Sequence, residues 1–240
     1  MSDAISAIPN RIFAYIKRTI AFFKLYKFIF RETSDFSNAL GNFILPHTYP
    51  KCRKTFIDWL RQDDRMADTI RSKKNIDIDI EALKKLPENT LGHHLYNILK
   101  DNEDSVDQIQ SLKSNSDYSY SVKRIVLTHD IYHALLNADT LYVGEIKVAA
   151  FTTAQIEHYY PSTISICTGI LSACFTKQHY LHSIFEALIE GFYLGKSTKQ
   201  LFIIDWEKYW DKDIEEVRKE LNIDLNAAKE VMCSKFNYKG

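Results

Sequence analysis

Residues that punctuate a chain are scarce here, and that scarcity constrains the fold most. The 240 residues include 7 glycines and 5 prolines, whereas average usage puts glycine alone at about 7% of positions. A sandwich or barrel of many short strands needs far more turns than these residues supply. The expectation is an all-α fold: a single compact multi-helix domain preceded by a basic amphipathic helix. The length fits one domain. A hydrophobic fraction of 45% excludes general disorder.

Charge narrows the partners. The 31 basic and 31 acidic residues cancel, so bulk electrostatic attraction to nucleic acid is not expected. The four cysteines, Cys52, Cys167, Cys174 and Cys233, contain no CxxC pair, which excludes a zinc ribbon or thioredoxin-type site. They read as buried free thiols. The longest uncharged run, residues 158–176, contains Pro161 and several small polar residues, which suits a buried helix better than a lipid-exposed span.

Residues 11–31 carry Ile12, Tyr15, Ile16, Phe22, Phe23, Tyr26, Ile29 and Phe30 on one helical arc, with Lys17, Lys24, Lys27 and Arg31 opposite. Such a helix can lie in a membrane interface or pack on its own domain. The first 31 residues hold one acid, Asp3, and six bases, a balance found in mitochondrial presequences; nothing there reads as a secretory signal. The expected division is this helix over 1–32, a helical domain over 33–230 and a tail over 231–240. Within the domain, a helix should end near Leu45, before Pro46 and Pro50. Residues 52–71 read as a surface helix, and residues 75–80 as an extended lead-in to a short helix capped by Asp79. Residues 101–121 read as an exposed polar connection. Gly191 and Gly195 should close an apolar helix, LFIIDW should be β-like or extended, and Asp213 with Glu216 should form a capping-box pair for the helix that follows.

The chemistry gathers in THDIYHALLNADTLYVGE. His129 and His133 are four apart, so a helix places both imidazoles on one face, about 6 Å apart along the axis. Two imidazoles so placed can share a divalent ion, although HxxxH pairs also arise for packing alone. Asp130 could ligate or orient a histidine. Asn137, Asp139 and Thr140 are turn residues that let the chain reverse and return Glu145 toward the pair. The HExxH peptidase pattern is not met, because Asp130 stands at its second position. His93 and His94 point apart on a helix and chelate poorly. His158, His179 and His182 read as structural.

His-Asp-x-x-His, eleven residues, then Glu resembles the signature of the coenzyme Q biosynthesis protein 4 family. LPENTLGHHLYNIL is similar to that family's Leu-Pro-x-x-(Thr/Ser)-Leu-Gly segment. EGFYLGKSTKQLFIIDWEKYWDKDIEEVRKELNI is similar to its Gly-x-x-x-Gly, Trp-Glu-x-x-Trp and Arg-x-x-Leu pattern. The resemblance covers residues 86–223 well and the N-terminal third loosely. The chain departs from the family at Tyr132, where Trp is frequent, and at Asn137-Ala138-Asp139, where the turn is often glycine-rich.

The resemblance implies a mostly helical peripheral membrane protein of ubiquinone synthesis. It would lie on the cytoplasmic face of a bacterial inner membrane or the matrix face of the mitochondrial inner membrane. It implies a zinc-type site at His129, Asp130, His133 and Glu145; two histidines with a carboxylate also suit iron. The implied partners are a polyprenyl lipid or quinone precursor, the membrane surface, other quinone-biosynthesis enzymes and a second copy of the chain. Two roles follow: head-group decarboxylation with hydroxylation of a prenylated hydroxybenzoate-type ring, or a lipid-binding scaffold. The small residues Ser165, Thr168, Gly169, Ser172 and Ala173 mark where helices approach or where an isoprenoid could lie.

Overall fold

The computed structural model describes residues 50–236 apart from Asn102. The amphipathic helix over 11–31 and the helix expected to end near Leu45 lie outside the described residues. Among those described there are eleven α-helices and no strand, only an isolated bridge between Thr90 and Asp213. The all-α expectation holds.

The helices begin and end where local chemistry directs. Helix α1, Pro50–Leu60, opens on a proline, which costs nothing in the first turn. Helix α2, Asp64–Ser72, starts where Asp63 accepts from the amides of Arg65 and Met66, and stops at Lys73 in the left-handed region, φ 46°. The expected helix over 52–71 is therefore two helices. Both turn an apolar edge inward: Phe56, Leu60, Met66 and Ile70 are buried. Asp79 caps α3, Ile80–Leu83, as expected. Thr90 caps α4, Leu91–Leu99.

The polar stretch 101–121 is not a plain connection. It contains α5, Glu103–Ser111, whose Val106 is buried, and the start of α6, Asp117–Leu136. Its few apolar residues lie at helical spacing and were outweighed by the charges around them. Ser116 and Ser119 form a reciprocal capping box at the start of α6.

Helix α7, Tyr142–Gln155, returns from α6. Helices α8, Tyr160–Thr176, and α9, Leu181–Ser197, both pack on it. Gly191 and Gly195 do not close α9; they sit inside it where it meets the backbone of α7. A Cβ at Gly195 would lie 2.7 Å from the carbonyl oxygen of Phe151. LFIIDW is extended only at Ile204: it opens with a 3₁₀ turn, Leu201–Ile203, and its Trp206 starts a second, Trp206–Lys208. Asp213 caps α10, Ile214–Leu221, and α11 spans Leu225–Phe236.

The main core lies between α6 and the helices around it, with Ile131, Leu135, Phe151, Leu194 and Trp206 fully buried. Tyr132 meets Phe151 edge-on at 5.1 Å, joining α6 to α7. Cys52 is half-buried, and Cys167 and Cys174 are exposed, contrary to expectation. The reason is the orientation of α8. Its inward face is small (Ser162, Ser165, Thr168, Gly169, Ser172 and Ala173 are buried), while Leu171 and Phe175 are 44% and 61% exposed.

Candidate metal centre

Helix α6 delivers His129, Asp130 and His133 in its last two turns, and the first turn of α7 delivers Glu145. The reversal between them is compact. Asn137 takes the left-handed conformation at φ 47° that asparagine tolerates. Asp139 then accepts from the amide of Leu141. A Cβ at Gly144 would meet the carbonyl of Asp139 at 2.0 Å, so only glycine lets α7 start this close.

The expected residues converge. His129 Nε2 lies 3.2 Å from His133 Nε2 and 3.2 Å from Glu145 Oε2. His133 Nε2 lies 3.3 Å from Glu145 Oε1. Asp130 joins the same histidine pair, with one ligand atom from each of the three residues all within 4.8 Å of one another. The histidine pair is therefore common to two trios, one closed by Glu145 and one by Asp130.

His133 is fully enclosed. Its side chain is 0% exposed, against 29% for His129 and 14% for Glu145, so the cluster reaches solvent along one edge. His133 Nδ1 lies 3.2 Å from the carbonyl of Ala138. A proton on Nδ1 satisfies that carbonyl; with an ion bound the Nε2 lone pair would turn to the ion, whereas in the ion-free cluster Nε2 donates to Glu145.

Electrostatics follow from this packing. Burial alone would push the Glu145 carboxyl up, but hydrogen bonds from His129 and His133 overcome it and hold the pKa down at about 2. Burial also opposes protonation of His129, yet the hydrogen bond and charge of Glu145, with the charge of Asp130, raise its pKa above the usual value.

The donor set fits a divalent ion. A tetrahedral ion with bonds of about 2.0 Å requires ligand atoms roughly 3.3 Å apart. The histidine–histidine and histidine–Glu145 separations are 3.2–3.3 Å.

The remaining described histidines stay apart from this cluster. His93 Nδ1 lies 3.0 Å from the carbonyl of Leu86. His94 is half-buried; burial first, and the nearby Arg218 charge second, lower its pKa. His158, His179 and His182 are exposed, and His182 lies 3.4 Å from Glu186.

The sequence segments that carried the family resemblance meet in space. The amide of Gly92 donates to the carbonyl of Trp210 at 2.9 Å, and the amide of Ile214 to that of Asn89 at 2.9 Å. Arg218, from the Arg-x-x-Leu pattern, donates to the carbonyls of Leu135 and Ala134 at the end of α6. The spacing of the histidines gave no hint of Arg218 or Lys147 beside the site. Arg218 stands out only as a buried arginine, which the sequence does not reveal.

Fold and site together define an all-helical protein with a His-Asp-His group that could hold a metal ion and Glu145 beside the histidine pair. A family model described as coenzyme Q (ubiquinone) biosynthesis protein Coq4 matches residues 45–226. The chain belongs to that family. It is 28% identical over 179 residues to the mitochondrial ubiquinone biosynthesis protein COQ4 homolog of Aedes aegypti, covering 70% of this chain and 62% of that one. It is 32% identical over 162 residues to mitochondrial COQ4 of a Saccharomyces cerevisiae strain, covering 65% and 47%. The chain thus spans about half to three fifths of these relatives' lengths. A crystal structure of a putative ubiquinone biosynthesis protein from Nostoc punctiforme PCC 73102 shares the fold, with TM-score 0.72 and 20% identity over 90% of this chain and 100% of that one.

Proposed function

We propose that the chain is a component of ubiquinone synthesis that holds a polyprenylated aromatic ring intermediate beside a divalent-ion site and acts on its head group. The observation that carries this reading is the triangle of His129, His133 and Glu145 with one solvent-facing edge. A site serving only as a staple has no need of an open edge, whereas one that receives a substrate oxygen does.

Zinc or iron bound here would supply Lewis-acid polarisation of a ring oxygen or carboxylate, and iron would add redox chemistry. His129, His133 and Glu145 would hold the ion, with Asp130 as a further ligand or an orienting carboxylate. The chain's own contribution is orientation. The Ala138 carbonyl fixes the His133 ring, Glu145 is held ionised, and enclosure of His133 keeps water off one side.

Helix α8 supports a place for the prenyl tail, though not on its small-residue face. That face is taken by α7: a Cβ at Gly169 would meet Ile146 Cδ1 at 2.4 Å, and Thr153 bonds Ser162 at 2.9 Å. The outward face, with Leu171, is the one that would meet an isoprenoid or an acyl surface. This same face favours a second reading, in which the chain is a lipid-binding scaffold for other quinone-biosynthesis enzymes and the ion is structural. Among the described residues no helix is long and apolar enough to cross a membrane. The mitochondrial names of the insect and yeast relatives support a mitochondrial location.

Glu145→Gln separates the roles. It keeps the size and one oxygen but removes the charge. In a host lacking its own counterpart, the head-group reading expects a folded, membrane-associated variant that accumulates the unprocessed prenylated ring. Loss of stability and partner binding together, with no separable block in conversion, would support the scaffold instead.

A further inference from the structure

The last turn of α6 is held from outside by two cations. An α-helix ends with four carbonyls that lack an intrahelical partner. In α6 these belong to His133, Ala134, Leu135 and Leu136. The turn's own backbone reaches the first two: the amide of Ala138 bonds His133 O at 3.0 Å, and that of Asn137 bonds Ala134 O at 3.3 Å. Arg218 of α10 supplies Nη2 to Ala134 O at 3.0 Å and Nε to Leu135 O at 2.8 Å. Lys147 of α7 supplies Nζ to Leu136 O at 3.0 Å. All four carbonyls are satisfied.

We propose that Arg218 and Lys147 are positioning residues of the metal site, holding the α6 terminus so that the Ala138 carbonyl aims His133 Nε2 and Glu145 stays at bonding range of both histidines. The inference rests on the metal reading above. Ala138 is the link, because its amide closes the turn on His133 O while its carbonyl receives His133 Nδ1. Lys147 lies two residues beyond Glu145, so its bond to Leu136 ties the end of the histidine helix to the helix that carries the carboxylate. Each cation is itself anchored: Arg218 by Glu215, and Lys147 by Glu190 at 2.8 Å. A lysine at position 218 would keep the charge but could not reproduce the rigid fork that serves two adjacent carbonyls.

Helix α6 contains its own control. Arg124 is also buried, and donates to the carbonyls of Phe202, Ile204 and Lys74. It supports the fold of α6 away from the ligand turn. The test uses Co²⁺ as probe, with its dissociation constant from chelator competition and its visible absorption read on folded protein, alongside the melting temperature. Arg218→Lys and Lys147→Met are expected to weaken Co²⁺ binding about tenfold or more, the range seen when partners of metal ligands are removed, and to shift the visible bands. Arg124→Lys is expected to lower the melting temperature with Co²⁺ affinity unchanged. If Arg218→Lys does not fold, Lys147→Met is judged by the same criterion. Wild-type affinity and spectrum in the Arg218 and Lys147 variants, with only lowered melting temperatures, would overturn the proposal and leave the metal reading intact. A wild-type chain that binds no Co²⁺ would overturn both.

Discussion

A Cβ at Gly191 would lie 2.2 Å from the carbonyl oxygen of Lys147. Helix α9 therefore rests directly on the backbone of α7, two residues beyond Glu145. Gly191→Ala must push the two helices apart. The expected cost is about 1–3 kcal/mol, as for other overpacked interiors, read as a lower denaturant midpoint. Displacement of α7 should also loosen the site, so metal affinity should fall with stability. An unchanged midpoint would mean that this helix contact yields freely.

The metal-free protein should show a pH dependence set by His129 and Glu145. Glu145 is held down at about 2, from an ordinary value of 4.5, so its contribution is present above pH 4.5 and is lost as pH falls toward 2. The pKa of His129 is raised, so its contribution is complete below 6.5 and is lost as pH rises through the raised value. Both are in place between about pH 4.5 and 6.5. Melting temperatures of chelator-treated wild type and Glu145→Gln should differ most in that window. A gap between the two that is the same at every pH would contradict the pairing.

The outward face of α8 predicts binding to lipid. Leu171 is 44% exposed, so Leu171→Glu should leave the fold intact. Burying such a side chain contributes roughly 1.5–3 kcal/mol, so the substitution should weaken sedimentation with phosphatidylcholine–cardiolipin vesicles by about tenfold or more. If the variant sediments like the wild type, α8 is not the contact.

The site was more legible than its supports. HxxxH spacing, a turn after it and a carboxylate beyond needed only helix geometry, and the chain brings His129, His133 and Glu145 together as that geometry requires. Asp79 and Asp213 announced their helices because capping is a local event. What stayed hidden was non-local. Gly191 and Gly195 looked like helix ends because glycine usually stops a helix, but here its missing Cβ serves close packing on α7. Cys167 and Cys174 looked buried because α8 is uncharged, yet its small residues face inward and its larger apolar ones face out. Arg218 and Lys147 reach the end of α6 from elsewhere in the chain, and no short-range pattern reports such a reach.

Metal content tests the central claim most directly. Purified wild type, reconstituted with zinc or iron and freed of loosely bound ions, should carry about one ion per chain by inductively coupled plasma mass spectrometry. His129→Ala and His133→Ala should each lose it while helical circular dichroism persists. Full occupancy in both variants, or none in the wild type, would contradict the account.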